Sequence, residues 1–471
     1  MNFFGLLYLL LAHFVCGRGA LQLFGIKMKM LHLICLSMMI GVAVLSFVPC
    51  VLQLMHITIT LFSVLAGIAV FTAVLSIPML ADLKWPKIKP ATSPALYEWP
   101  FIIIIFFLVA VSVWRCFYYP PMSGDMLTGP ELIAEYTVRE HTMINSVFSV
   151  DLSMTNNYFK SPFITGSQII YKLLVSPFGQ LWLSVIFVSF SIWLYSLMRS
   201  FLHPLIAGFL MLFFVTIPDL YAYTYIILYD YSNTVFFFAG FYFLYNWRID
   251  EGGIKGFAFS AFLFGIATYI RTETLVLIFM VTPLLAMYLY RIKLQLNKAL
   301  LLTGLFLMTP VLFYVICINV FVHNFVPIPF DLGSQVNPNL GDMSVFFTRL
   351  YEMWSILICS SAGIKEYGYF IFFFLGILII DIFWIRRFNT RAIIALYGIM
   401  VVYIGLAFLG YLLPPVDLVN TTKRGLFKAL PLMLLYLSAS GVVQRLSSGI
   451  YQWEHANLQE KNDIGNTSLH E

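Results

Sequence analysis

Five acidic residues lie in one polar segment, residues 118–166, between two strongly apolar parts of the chain: Asp125, Glu131, Glu135, Glu140 and Asp151. Asp125 follows Pro120, Pro121 and Gly124, residue types that favour a tight turn. A turn would hold this carboxylate close to the apolar boundary, where it could serve as a general base. A role as a helix cap or as a solvated side chain is the alternative for Asp125, and the residues leave both open.

The stretch ELIAEYTVRE, residues 131–140, alternates acidic and apolar residues at helical spacing. This pattern predicts an amphipathic helix that lies on a membrane surface. We expect Glu131, Glu135 and Glu140 to form its solvated face. Glu131 is also a candidate for binding substrate.

Asp230 is the second candidate catalytic carboxylate. It stands at the beginning of the apolar stretch 231–247, and an ionisable residue at the edge of an apolar segment is a functional candidate. The alternative is that Asp230 caps the following helix, since Asp is favoured at helix starts. Two carboxylates from different polar segments could act on one acceptor, one as the base and one as an orienting group.

A few basic residues accompany these carboxylates, and the candidates for substrate binding are Arg271, Lys423, Arg424 and Lys160. Arg271 lies between the apolar stretches 256–270 and 274–290, and its alternative role is an ion pair with Glu273 or another acid. Lys423 and Arg424 precede the last apolar stretch, with Lys428 about one helical turn further on. Cations at the edge of apolar segments are suited to binding phosphate oxygens.

The composition identifies the solvent in which these residues act. Of 471 residues, 61% are hydrophobic and 10% are charged, whereas soluble domains carry roughly 25% charged residues. A bilayer is therefore the main environment, and membrane lipids are partners. The net charge of +5 is explained by basic loops on one side of the membrane, so it does not indicate a nucleic acid partner. The six cysteines are expected to be buried thiols.

Apolar stretches long enough to approach a bilayer crossing predict an all-α polytopic membrane protein. We count about thirteen candidate spans, within a range of roughly 11 to 14. They are residues 2–17, 30–50, 57–80, 99–117, 178–198, 201–217, 231–247, 256–270, 274–290, 299–322, 368–385, 392–413 and 427–443.

The basic residues orient these spans. Counting Lys and Arg, 17 of 27 fall in the segments 18–29, 81–98, 199–200, 248–255, 291–298, 386–391 and the C-terminal tail. The positive-inside rule places those segments in the cytoplasm. The segments 118–166, 218–230, 323–367 and 414–426, together with Arg271, then share the outer face. All the candidate site residues therefore lie on one side of the membrane.

Changes in composition divide the chain into four parts. Residues 1–80 form an N-terminal unit of three apolar helices, and 81–98 form a basic, proline-containing linker. Residues 99–443 form the membrane core. Residues 444–471 turn polar and are expected to be a disordered cytoplasmic tail.

The order of these motifs resembles the GT-C superfamily of integral-membrane glycosyltransferases, which includes protein O-mannosyltransferases and the aminoarabinose transferase. The matching elements are Gly124-Asp125 in a long outer loop, Asp230 at a span entrance, TYIRTETLVL around Arg271, and KRGLFKALPLMLLY from Lys423 onward. SPF at 161–163 stands where many members carry His-Pro-Pro. The resemblance covers residues 99–443. It departs from the family at Gly425, where an aromatic residue is usual, and in having one acid where many members carry two.

The resemblance implies transfer of a sugar from a polyprenyl-phosphate donor to a lipid, glycan or protein acceptor on the outer face. Asp125 would be the general base, Asp230 would orient the acceptor, and Arg271, Lys423 and Arg424 would bind the leaving phosphate. No cofactor is required, although a divalent cation would be compatible with the acids. We expect a multi-pass protein of a bacterial inner membrane with a periplasmic active site.

Three other functions remain open from the sequence. A transporter or flippase for a lipid-linked glycan would need charged residues within spans and broken helices in paired repeats. An oligosaccharide polymerase or ligase is expected to have arginine-rich outer loops, whereas residues 323–367 contain only Arg349 and Lys365. A structural scaffold would give no reason for cations beside the outer carboxylates.

Overall fold

A computed structural model describes most of the chain. The described residues are 2–26, 28–80, 94–121, 124–149, 160–177, 179–247, 253–291, 296–327, 336–338, 341–386, 388–413 and 416–467. All regular secondary structure within them is helical.

Twenty-three α-helices are numbered here in chain order. They are α1 (Phe3–Phe24), α2 (Met30–Leu45), α3 (Val48–Leu54), α4 (Leu61–Leu80), α5 (Trp99–Tyr118), α6 (Gly124–Leu127), α7 (Pro130–Glu140), α8 (Phe163–Leu174), α9 (Leu181–Phe201), α10 (Pro204–Val215), α11 (Pro218–Ala222), α12 (Tyr229–Trp247), α13 (Gly253–Ile270), α14 (Thr274–Arg291), α15 (Leu296–Val315), α16 (His323–Phe325), α17 (Met343–Glu352), α18 (Ser361–Tyr367), α19 (Phe370–Ile380), α20 (Thr390–Leu412), α21 (Lys423–Gly425), α22 (Ala429–Ala439) and α23 (Gly441–Thr467).

The helices follow from the apolar composition, because a chain in lipid must satisfy its backbone hydrogen bonds within the segment itself. Residues with defined roles at helix starts set several boundaries. Pro130, Pro204 and Pro218 each begin a helix, where the missing N–H of proline costs nothing. Asn389 accepts a hydrogen bond from the Ala392 amide and so caps α20.

Each of the thirteen predicted apolar segments contains a helix in its described residues. Seven described helices are long and apolar enough to cross a bilayer, and up to nine if each of two bent helix pairs counts as one span. The described residues therefore form an all-helical protein with the character of a membrane protein. The number thirteen stays a prediction, because α10 and parts of α13 and α14 are shorter than a full crossing.

Four helical stretches widen into π-helical turns: Ile316–Val322, Met353–Ile358, Asp381–Ile385 and Leu418–Thr422. Turns of this kind often occur at functional sites, because the extra residue disturbs the regular hydrogen-bond ladder. The last of them leads directly into Lys423 and Arg424.

The N-terminal helices share one apolar core with the rest of the protein. α1 packs against α2 and α4, and α2 packs against α9. Gly17 and Gly41 allow a close approach of α1 and α2, since a Cβ on either would collide with the carbonyl oxygen of Ser37 or His13. Such small residues let helices pack tightly in membranes. A single hydrophobic cluster extends from Leu9 to Val443, so residues 1–80 are packed on the core.

The helix bundle has two chemically different ends. α12, α13 and α20 each run between them, and the 18 residues of α13 correspond to about 27 Å. We call the end with Asp219, Asp230, Glu273 and Glu366 the acidic end. The end with Lys29, Lys255 and Arg391 is called the basic end. The predicted grouping of loops agrees with the contacts, because Lys423 at the acidic end forms ion pairs with both Asp219 and Glu366.

The C-terminal segment differs from the prediction of a disordered tail. Gly441–Thr467 forms α23, because apolar residues at positions 443, 446, 450 and 453 recur at helical spacing. Its first turns are fixed to the bundle by Ser447, whose Oγ accepts a hydrogen bond of 2.8 Å from the His203 amide. Glu454 also contacts the His203 ring, 3.1 Å from Nε2.

Two further predictions concern the cysteines and the linker. All six cysteines are free, and five are buried as expected, but Cys359 is exposed. It follows a π-helical turn at the acidic end, where the chain leaves the apolar core. Most of the predicted linker, residues 81–93, lies outside the described residues.

Candidate functional site

An arginine that joins two carboxylates lies at the acidic end. Asp230 is in the first turn of α12, Arg271 follows α13, and Glu273 precedes α14. The Arg271 guanidinium contacts both carboxylates. The side chains of Asp230 and Arg271 are 3% and 8% exposed, whereas that of Glu273 is 25% exposed. The arrangement is therefore buried at Asp230 and open at Glu273.

Packing of α12 against α13 determines this geometry. Asn233, one turn after Asp230, donates through Nδ2 to the Ala267 carbonyl at 2.6 Å and to Thr274 Oγ1 at 3.0 Å. These bonds tie the end of α13 and the start of α14 to the same helix. The short turn between α13 and α14 leaves Arg271 and Glu273 only two residues apart, and the Arg271 guanidinium contacts both Glu273 and Asp230.

The electrostatics of the turn favour full ionisation. Burial alone would raise the pKa of Glu273, but the Arg271 guanidinium, with help from Lys160 and Lys428, lowers it to about 2. Burial opposes the charge on Arg271, yet Glu273 and Asp230 raise the pKa of its guanidinium above the ordinary value. The turn therefore holds fixed charges near neutral pH.

Two lysines complete this group. Lys428 is buried, with 2% of its surface exposed, and lies within electrostatic range of Arg271, Asp230 and Glu273. Lys160 is exposed and lies within range of Glu273. We call Asp230, Arg271, Glu273, Lys428 and Lys160 the Arg271 cluster. Three cations and two carboxylates leave it with one excess positive charge.

Lys428 differs from Arg271 in its ion pairs. Within the described parts of the chain, no acidic side chain forms an ion pair with Lys428, whereas Arg271 has two such partners. An ammonium group is costly to bury without a compensating anion. The position of Lys428 in the Arg271 cluster is therefore suited to an added anion.

Lys160 connects the cluster to an apolar surface. Its ammonium group lies 5.8 Å from the centre of the Tyr229 ring, and Tyr229 donates a hydrogen bond of 3.0 Å to the Ser161 carbonyl. Lys160 also borders a small cavity of about 30 Å³ with apolar walls that include Phe321 and Phe325. A cation thus stands between the ionic group and an apolar recess.

Lys423 and Arg424, predicted to bind phosphate, have different surroundings. Lys423 forms ion pairs with Glu366 at 2.8 Å and with Asp219 at 3.2 Å. These contacts join three segments of the acidic end, which makes Lys423 a structural link. The Arg424 guanidinium lies 5.9 Å from the centre of the Tyr223 ring. Arg424 also lies within electrostatic range of Asp417.

Glu131 belongs to a separate ionic group between α7 and α8. Lys172 lies 2.6 Å from Glu131 and 2.8 Å from Glu135, and Arg139 lies 2.9 Å from Glu135. We call these four residues the Lys172 cluster. Gln168 donates a hydrogen bond to Glu131 and accepts one of 2.7 Å from the Trp182 indole.

This placement corrects the expected solvated face of α7, because Glu131 is buried, with 6% exposed. Helical spacing alone does not reveal that α8 covers α7. Burial raises the pKa of Glu131, although Lys172 opposes the change. Among the described contacts, none connects Glu131 to Arg271 or Lys428.

Asp125 lies in the short helix α6, from Gly124 to Leu127. α6 packs against α7, and α7 packs against α8, which begins three residues after Lys160. The side chain of Asp125 lies outside the described residues. Its role as a base therefore stays a prediction.

No family model, curated protein or solved structure matches the chain.

Sequence reasoning placed Asp230, Arg271 and Lys160 on one side of the membrane, and the structure brings them together. It treated Glu273 only as a possible partner of Arg271 and gave Lys428 no separate role. The signal for Lys428 was a lysine inside an apolar helix start, FKALPLMLLY. In the described residues, no group of three or more His, Cys, Asp or Glu side chains has the arrangement of a metal site.

The larger cavities of the described residues lie at the opposite end of the bundle. One has a volume of about 590 Å³ and is bordered by Lys29, Lys255 and Arg391. A neighbouring cavity of about 600 Å³ shares Arg391 with it. The two ends therefore both present cations, and the described lining of the first of these cavities contains no carboxylate.

Proposed function

We propose that the protein is a membrane glycosyltransferase that takes a sugar from a polyprenyl-phosphate donor at the acidic end. The observation that carries this proposal is the buried Lys428, which has no acidic ion-pair partner in the described residues although it lies beside the fully paired Arg271. A phosphate oxygen would supply the missing negative charge.

The leaving group explains why a fixed cation is useful. Transfer breaks the bond between the anomeric carbon and the phosphate oxygen, and the electron pair stays on the polyprenyl phosphate. Negative charge thus develops where Lys428 and Arg424 approach. Fixed cations in a poorly hydrated site stabilise such charge without reorganisation. Lys160 would hold the phosphate on the open side of the Arg271 cluster.

The acceptor and the base complete the reaction. An acceptor hydroxyl would attack the anomeric carbon from the face opposite the phosphate, and Asp125 would take its proton. The configuration would invert, because one direct displacement takes place. Asp230 and Glu273 are paired with Arg271, so their proposed role is to position Arg271 and to repel a second anion.

A transporter for a lipid-linked glycan is the second candidate. The observation in its favour is the cation-bordered cavity at the basic end, which would offer a carried phosphate a binding position at the end opposite the Arg271 cluster. The two functions differ in chemistry. A transferase releases polyprenyl phosphate, whereas a transporter moves the donor intact.

Reconstituted full-length protein distinguishes them. Proteoliposomes would be given a panel of polyprenyl-phosphate sugars with acceptor extract, and released polyprenyl phosphate would be measured. We expect release from at least one donor, and we expect Asp125→Asn to lower the rate about 10²- to 10⁴-fold, the usual contribution of a general base.

A matched substitution controls for charge loss. Asp342 is an exposed acid that caps α17 through the Ser344 amide, and Asn can retain that cap. Asp342→Asn is expected to keep the wild-type rate. Equal rates for Asp125→Asn and the wild type would contradict the assigned base. Movement of labelled donor with no release from any donor would favour the transporter.

A further inference from the structure

The cavity at the basic end has the features of a phosphate-binding site. Lys29, Lys255 and Arg391 border it, and no residue among its described lining is acidic. These three cations come from α2, α13 and α20, which are distant in sequence. Their convergence on one recess is therefore a property of the fold.

Contacts around the cavity fix two of the cations. The Arg391 guanidinium lies 5.1 Å from the centre of the Phe201 ring, a distance at which the cation and the ring attract each other. Lys255 packs over the end of α1, where its Nζ would lie 2.8 Å from a Cβ placed on Gly25. Gly25 has a left-handed backbone with φ of 58°, so the chain turns away there and leaves the recess open.

The start of α2 adds a second type of anion ligand. Lys29 stands at the N-cap position, and its side chain does not cap the helix. The first amide groups of α2 therefore have no capping side chain, and such amides favour anions. His32, in the first turn of α2, also borders the cavity and lies 2.8 Å from Ser196 Oγ.

The walls of the cavity are apolar and aromatic. Trp193, Phe201, Tyr242 and Phe243 all border it, and Trp193 stacks on Phe243 with ring centres 6.3 Å apart. A free phosphate would use the cations only. An amphiphile would use both, with its phosphate at the cations and its chain against the rings. The volume of about 590 Å³ is within the usual range for ligand sites.

We infer that this cavity binds the headgroup of a phospholipid with a net negative charge, its phosphate at Lys29, Lys255 and Arg391 and its lipid chain against the aromatic residues. This inference does not depend on the proposed transferase activity. A lipid bound here would join α1, α2, α13 and α20 at the end of the bundle, so it would stabilise the folded protein.

Thermal unfolding of the delipidated full chain in detergent tests the inference. The probes are dioleoyl phosphatidylglycerol, dioleoyl phosphatidylcholine and inorganic phosphate at equal concentration. We expect phosphatidylglycerol to raise the unfolding midpoint clearly more than phosphatidylcholine does. The double variant Lys255→Gln/Arg391→Gln is expected to lose most of that difference.

A matched double variant removes two charges from the same end of the bundle. Lys298 and Arg386 are exposed and do not border the cavity. Lys298→Gln/Arg386→Gln is expected to keep the full response to phosphatidylglycerol. If Lys255→Gln/Arg391→Gln does not fold, Lys29→Gln/Lys255→Gln replaces it, since both side chains are exposed.

The outcomes separate the sources of phosphate. A full lipid response in the cavity variant, or an equal loss in the control variant, would overturn the inference. Equal midpoints with phosphatidylglycerol and phosphatidylcholine would overturn it as well. A shift with inorganic phosphate that equals the lipid shift would overturn the lipid assignment and identify a soluble phosphate as the ligand.

Discussion

The Arg271 cluster and the Lys172 cluster are both ionic groups with buried members, yet their charges balance differently. In the Lys172 cluster, two cations meet two carboxylates, and Lys172 contacts both acids. In the Arg271 cluster, Arg271 alone contacts both acids, and Lys428 has no ion pair within the described residues. The charges of the first are balanced by its own members, whereas the second is the group that we propose to bind an anion.

The comparison shows why buried charge alone does not identify a site. Glu131 and Lys428 are both buried, and either residue could be chosen from the sequence as a functional candidate. Glu131 has Lys172 and Gln168 as partners, so its environment explains its charge. Lys428 has Asp230 and Glu273 within electrostatic range but forms no ion pair in the described residues. A buried charged residue is therefore a better functional candidate when the protein itself does not supply its ion-pair partner.

Replacing the two buried lysines should give the largest contrast. Lys172→Met leaves Glu131 without its cation, and breaking a buried ion pair typically costs about 3–5 kcal/mol. Lys428→Met removes a desolvated cation with no ion pair, so stability should change by less than about 1 kcal/mol or increase. Thermal or denaturant unfolding in detergent measures both.

An exposed member of the Lys172 cluster serves as the control. The Arg139 side chain is 66% exposed, and such surface pairs contribute about 0–1 kcal/mol. Arg139→Met should therefore leave stability nearly unchanged. A loss of stability in Lys428→Met as large as that in Lys172→Met would remove the proposed difference between the clusters.

The pH dependence of stability below pH 4.5 should give a smaller effect than the lysine substitutions. The pKa of Glu273 is lowered from 4.5 to about 2, so its ion pair contributes stability above pH 4.5 that is lost as the pH falls toward 2. The contribution is at most about 3 kcal/mol. Glu273→Gln should flatten the loss of stability in this interval, as measured by unfolding midpoints between pH 6 and the lowest pH at which the protein stays soluble.

The contribution of Glu131 to stability should change with pH in the opposite direction to that of Glu273. Its pKa is raised by burial, so its contribution is fully present below its ordinary value and is lost as the pH rises through the raised value. Glu131→Gln should therefore reduce the dependence of stability on pH above 4.5. For Glu273, the contradicting outcome concerns low pH. If Glu273→Gln and the wild type lose the same stability as the pH falls below 4.5, Glu273 does not hold its charge through Arg271.

The sequence was sufficient to group the site residues at one end of the bundle but not to identify their partners. Alternation of apolar and polar stretches predicts the helices, and the basic loops place Asp230 and Arg271 on the same side, as the structure has them. Whether a residue on a helix faces a neighbour depends on packing. Lys423 is five residues from Lys428, yet it faces Asp219 and Glu366. Likewise, the coverage of Glu131 by α8 is not visible in the spacing of α7.

Binding of a short polyprenyl phosphate tests the central claim most directly. Affinity for farnesyl phosphate would be compared between the wild type, Lys428→Met and Lys428→Arg in reconstituted protein. Because a hydrogen bond to a charged group contributes about 1.5–3 kcal/mol, we expect Lys428→Met to bind roughly 10- to 100-fold more weakly, with Lys428→Arg in between. Unchanged affinity in Lys428→Met, with the protein folded, would contradict an anion site in the Arg271 cluster.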